Sequence, residues 1–137
     1  ITTLEKRDGI YYEPDAFTSF SGKVYRLSTN GKKAEEVTLR YGQREGLQRN
    51  WYFNGQQQSK SLWKNGKKDG AMWEWYENGQ KHKERNFKDG KPDGLRLAWH
   101  ENGQKSAEKN FEDDELISAK YWNSKGEPVD SLEEAQK

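Results

Sequence analysis

The chain has no cysteine, and only three prolines and one methionine in 137 residues. The missing cysteine removes disulfides, thiolate metal sites and thiol nucleophiles, and leaves the compartment open. Two histidines, His82 and His100, fall short of an imidazole-based zinc set, so no metal ligands are assigned. Hydrophobic residues make up 30% of the chain, and no run approaches the roughly 20 apolar residues of a membrane-spanning helix. No transmembrane segment is therefore expected. Charge of one sign is lacking as well: 24 Lys and Arg face 23 Asp and Glu, for a net charge of +1. That balance gives no electrostatic footprint for nucleic acid, which is excluded as a partner.

Glycine and the aromatics are plentiful, and they are spaced. Gly22, Gly46, Gly70 and Gly94 fall 24 residues apart, and Gly31, Gly55, Gly79 and Gly103 repeat that interval nine residues later. A third series, Gly42, Gly66, Gly90 and Asp114, shares the period. Three landmarks in one register define a repeat array over residues 22–127, with a degenerate last half-unit in which Gly126 comes one residue early. Residues 1–21 read as an irregular hairpin capping the array, with a turn-like Glu-Pro-Asp at 13–15, and 128–137 as a polar C-terminal tail. Asp130 and Glu133 have the spacing of a helix cap there. Because the chain begins at Ile1 rather than methionine, an exported location, in a cell envelope or secreted, is expected.

Each unit contains Asn-Gly, at 30–31, 54–55, 78–79 and 102–103, between short stretches rich in Trp, Tyr, Phe and Leu. Asn-Gly accommodates positive φ at both central positions, which predicts two-residue type I′ hairpins turning at Gly31, Gly55, Gly79 and Gly103. The segments YGQREG, NGKKDG and DGKPDG read as longer loops between hairpins. The fold class is all-β: an elongated single-layer antiparallel meander of about five repeated hairpins. Counting outward from Asn54-Gly55 sets Gly46 opposite Trp63, and likewise Gly70 opposite Phe87 and Gly94 opposite Phe111. A ring laid across each glycine would account for both conserved features of the unit. The same parity puts Leu27, Trp51, Trp75 and Trp99 on the other face, with Tyr25, Trp73 and Leu97 beside them.

Most candidate chemistry dissolves into the period. Glu36, Glu84 and Glu108 share one unit position, which suits cross-strand pairing better than acid-base work. Glu45, Asp69 and Asp93 precede the unit glycines and read as loop-closing residues. The count places His82 and His100 on opposite faces. Ser/His/Asp sets lack a nucleophile turn, and the Gly-containing turns precede no helix that would offer amides to a phosphate. No catalytic residue and no cofactor is assigned, and a non-enzymatic protein is expected. The remaining constellation is the row of Trp51, Trp73, Trp75 and Trp99, the candidate partner-contact residues.

The units YENGQKHKERNFKDGKPDG and WHENGQKSAEKNFEDDE resemble the MORN repeat variants of bacterial proteins, over about residues 22–127. The resemblance implies a meander of hairpins, protein-protein contact, and an antitoxin-like role of the kind found in toxin-antitoxin systems. It carries no functional residue over to a position here beyond turn glycines and ring positions. The leading reading is a repeat scaffold that binds a protein partner, a second copy of itself included. The alternative is a cell-surface array that holds a glycan or choline on stacked Trp and Tyr rings.

Overall fold

The computed structural model describes residues 5–7, 10–12 and 20–137. Strands β1 (Glu5–Arg7) and β2 (Ile10–Tyr12) pair as a separate two-stranded sheet, with Arg7 opposite Ile10. The Glu-Pro-Asp turn expected at 13–15 lies outside the described residues. The other described strands form one open antiparallel sheet of eleven. Its members are β3 (Gly22–Leu27), β4 (Lys33–Arg40), β5 (Gln43–Trp51), β6 (Gln57–Lys64), β7 (Lys67–Trp75), β8 (Lys81–Lys88), β9 (Lys91–Pro92), β10 (Gly94–Trp99), β11 (Lys105–Glu112), β12 (Glu115–Trp122) and β13 (Pro128–Val129). Strands pair in chain order. The pieces β9 and β10 both pair β8 and together stand where β5 and β7 stand in the earlier hairpins, interrupted at Asp93.

The turns are the reverse of the expectation. At the Asn-Gly sites the loop has three residues: Tyr52 N–H donates to Gln56 O (2.8 Å) and Gly55 N–H to Tyr52 O (2.9 Å). Gly55 alone carries positive φ, at 89°, and Asn54 does not. This is a type I turn closed by a left-handed glycine, not type I′. Gly31, Gly79, Gly103 and Gly126 close the same loop. The two-residue type I′ turns occur instead at Tyr41-Gly42, Asn65-Gly66, Asp89-Gly90 and Asp113-Asp114, where both φ values are positive and the flanking residues pair directly, as in Lys64 with Lys67. What read as long charged loops is thus strand on both sides of a tight turn.

The forecast register nevertheless stands. Gly22 opposes Leu39, Gly46 opposes Trp63, Gly70 opposes Phe87 and Gly94 opposes Phe111. Two irregularities cancel. The three-residue loop moves the pairing by one residue, and a one-residue bulge at Gln58, between the pairs Asn50–Ser59 and Trp51–Gln57, moves it back. On their other edge β5 and β7 carry a wider bulge around the unit glycine, as where Val37 opposes Gln48 but Leu39 opposes Arg44. In β12 that bulge is one residue shorter, between Asn110–Ser118 and Phe111–Leu116. The shortening brings Gly126 forward by one position and explains why Ser118 stands where the units above have glycine.

The ring-over-glycine account of the unit glycines is corrected. Gly46 has φ 89°, and a Cβ built there meets nothing within 4 Å. At Gly70 the nearest atom is Leu62 Cδ1 at 3.2 Å, not the ring of Phe87. The glycine is required by the left-handed backbone of the bulge.

A single-layer sheet has little interior, and the core is correspondingly thin: Ala34, Val37, Leu39, Ser61 and Ala107 are buried, and among the described residues no large side chain is fully covered. The C-terminal helical turn α1 (Leu132–Ala135) folds back on the sheet and buries Ala135 to 1% exposure. Its cap is Ser131, whose Oγ accepts from Glu134 N–H at 3.1 Å, in place of the expected Asp130 and Glu133. Among the described residues no helix is long and apolar enough to cross a membrane.

Candidate interaction face and the repeat family

Strand alternation sorts the rings onto two faces. On one, Trp51 opposes Gln57, Trp75 opposes Lys81 and Trp99 opposes Lys105, each just before a three-residue loop. Trp73 shares that face, directly opposite Lys60 and Glu84. The four candidate tryptophans are therefore brought together, all half-buried. At the N-terminal end of the same face Tyr25 and Leu27 are exposed, at 45% and 51%. The opposite face carries Leu39, Trp63, Phe87 and Phe111.

The tryptophan face is dressed with its own ions. Lys60 Nζ lies 5.4 Å over the Trp73 ring, Lys81 5.2 Å over Trp99 and Lys105 5.6 Å over Trp122. These are cation-π distances, and the lysine stems cover part of each ring. The recurrent glutamates are ion-paired, but the expected cross-strand pairing holds only for Lys23 with Glu36 (3.9 Å); Lys81 with Glu84 (3.5 Å) and Lys105 with Glu108 (3.7 Å) lie three residues apart on one strand, brought together by the bulge between them. Glu84 also accepts from Trp73 Nε1 at 3.3 Å. Glu45 and Asp69 accept turn amides of the next hairpin, from Asn65 (2.7 Å) and Asp89 (3.4 Å).

Two side-chain ladders were invisible to sequence reasoning. Tyr52 OH donates to Trp75 O (2.6 Å), Tyr76 OH to Trp99 O (2.7 Å), and His100 Nε2 to Trp122 O (2.8 Å). Each polar ring staples its unit to the backbone of the next. Burial first, and then nearby glutamates, push both tyrosine hydroxyls above their usual pKa. At the loop tips, Asn30, Asn54, Asn78 and Asn102 accept from the backbone two residues on through Oδ1 and donate through Nδ2 to a carbonyl of the following loop. The recurrence of Asn and of Tyr, Tyr, His after each Trp was the available signal.

His82 and His100 are corrected: both border one hollow, on the face opposite Trp51, Trp73 and Trp75. His82 is the bulged residue between the pairs Glu74–Lys83 and Trp75–Lys81, which turns it from the side that simple alternation gives. Its ring stacks on Tyr76, with centroids 4.1 Å apart. Among the described residues no group of three His, Asp or Glu could hold a metal ion.

The hairpins so built match a known repeat. The family model described as MORN repeat variant matches residues 44–65, 68–89 and 92–113, three consecutive hairpins each centred on an Asn-Gly loop. The chain is a repeat protein carrying MORN repeat variants, a class that generally serves as a module for interaction with proteins or membrane lipids. No curated protein matches the chain with significant similarity.

Proposed function

We infer that the chain is a non-enzymatic scaffold that binds another protein through the face carrying Trp51, Trp73, Trp75 and Trp99. The observation that supports this reading is the row itself. Half-exposed rings recur on one side of an open sheet, interleaved with lysines and glutamates, and extend into the exposed Tyr25 and Leu27. Among the described residues no second layer covers that side. Large rings rimmed by charged groups are the composition of an interface centre.

The glycan or choline alternative is less well supported. A quaternary ammonium needs an open ring face, and the faces of Trp73 and Trp99 already carry Lys60 and Lys81. A partner's carboxylates, in contrast, would find those ammonium groups in place. An antitoxin-like role is one form that such binding takes. The test is a pull-down with the parent protein and with Trp51→Ser/Trp75→Ser, accompanied by light scattering of each. A protein or second copy retained by the parent and lost by the variant supports the assignment. Equal retention, or a parent that stays monomeric and recovers nothing, refutes it.

A further inference from the structure

The face opposite Trp51, Trp73 and Trp75 changes character along the array. In one row across it Val24 opposes Val37, Val37 opposes Gln48, Gln48 opposes Ser61, and Ser61 opposes Met72. The row continues through Arg85, opposite Met72, to Arg96, opposite Lys109. Positions 24, 48, 72 and 96 are equivalent in the period, as are 37, 61, 85 and 109. The sheet closes with Val, Gln or Met at the first position and Val or Ser at the second. Nothing in the repeat frame requires the three cations that the last units place there.

The neighbouring row departs in the opposite sense. Asn50 and Glu74 are replaced by Ala98, and Ser59 and Lys83 by Ala107, and these two alanines oppose each other. The shortened side chains leave a hollow of about 270 Å³ bordered by Arg85, Arg96, Lys109, His82 and His100, with Ala135 of α1 at its margin.

Of the three cations only Arg85 is ion-paired; among the described residues no carboxylate lies within 4 Å of the charged nitrogens of Arg96 or Lys109. Glu74 meets Arg85 Nη2 at 2.6 Å, but Arg85 Nε is buried with no partner. Arg96 lies over the Phe111 ring at 4.7 Å and Lys109 over Tyr121 at 5.6 Å. Burial, and after it the charge of Arg85, lowers the pKa of Arg96. A group placed where its charge is disfavoured is preorganised for an anion that relieves the repulsion.

We propose that this hollow binds a small organic anion: a phosphate or carboxylate group on a compact apolar body. Arg96 offers a forked pair of donors to the oxyanion and Arg85 its unpartnered Nε–H beside the Glu74 ion pair, and Ala98 and Ala107 give the body an apolar floor. The volume is close to the lower end of the roughly 300–1,000 Å³ typical of ligand sites, which suits a single ring. The site opens on the opposite side of the sheet from Trp51, Trp73 and Trp75, with Trp99 the one member of the row that also lines it.

Calorimetric titration with phenyl phosphate tests the proposal, with benzyl alcohol as the neutral analogue. Arg96→Met/Lys109→Ser takes the residues that Met72 and Ser61 supply at the equivalent positions, so its melting midpoint should stay near that of the parent. If the double variant melts early, Arg96→Met alone is titrated and read in the same way. Expected is one-site binding to the parent, no heat from benzyl alcohol, and affinity about tenfold or more weaker in the variant, as befits the loss of charge-assisted bonds. Trp51→Ser/Trp75→Ser should bind as the parent does. Absence of phenyl phosphate binding, or equal affinity in parent and variant, overturns the site. Binding confined to phosphatidylcholine vesicles containing phosphatidic acid also overturns it, because a flat bilayer would then be reading the charge of the face rather than the hollow.

Discussion

Replacing Gly46 separates two explanations of why each unit needs its glycine. Trp63 is directly opposite, so a ring lying on the glycine would make the cost rise with the size of the new side chain. The structure instead leaves empty space at the Cβ position and a φ of 89°, so the cost is conformational. Left-handed backbone disfavours an L-residue by about 1–2 kcal/mol, less for Asn and more for a β-branched residue. The expected order of destabilisation is therefore Asn, then Ala at about 1–2 kcal/mol, then Val. With a urea slope of about 1–3 kcal/mol/M, Gly46→Ala lowers the unfolding midpoint by roughly 0.3–2 M at unchanged slope. A double-mutant cycle with Trp63→Leu should show coupling below about 0.5 kcal/mol. An order that follows size, with Asn worse than Ala, or a cycle coupled by more than that, would refute the bulge argument and restore the ring as the cause.

The loop ladder makes a second prediction. Asn78→Ala loses the bond to Gln80 N–H at 2.9 Å and the bond to Glu101 O at 3.2 Å, both exposed, for a cost of about 1–2 kcal/mol. Asn78→Asp keeps the first and loses the second, so its urea midpoint should lie between alanine and parent; a midpoint equal to that of the parent would show that the bond between units contributes nothing. His82 makes the third prediction. Burial, then Lys83, lowers its pKa from the usual histidine value, so below about 6.5 the unfolded chain binds more protons than the folded one. Its contribution is complete above that pH and is lost as pH falls through the depressed folded value. Urea midpoints of the parent should drop more steeply below about pH 6.5 than those of His82→Gln; parallel pH profiles would sink the assignment.

The period, the meander and the sorting of rings onto two faces were legible in the sequence because each depends on backbone spacing alone. The turn types were not. Asn-Gly signals positive φ at glycine in both a type I′ turn and a three-residue loop, and what distinguishes them is a side-chain bond to a neighbouring hairpin, as from Asn54 to Glu77 O. The charged stretch Lys67, Lys68, Asp69 gave no strand signal because a single-layer sheet has no covered side there to impose alternation. The misplaced His82 has the same root, since one bulged residue reverses the parity on which any facing argument rests. The register survived only because a bulge and a loop of opposite effect recur together in every unit.

Comparison of copies, which made the fold legible, also isolates what the fold does not explain. Tyr52 and Tyr76 recur because each staples the next unit, and the equivalent His100 still makes that bond; a change that preserves the bond carries no separate function. Arg96 and Lys109 preserve nothing of what Met72 and Ser61 contribute. They bring like charge onto a half-buried surface beside alanines that open a hollow, a combination that costs stability in an array already thin in core. A repeat protein can tolerate such a unit because its neighbours hold the sheet. The tryptophan row is consistent with the frame, so it marks a surface any copy could present. The cationic hollow breaks the frame once, and it is there that this chain departs most from a generic stack of hairpins.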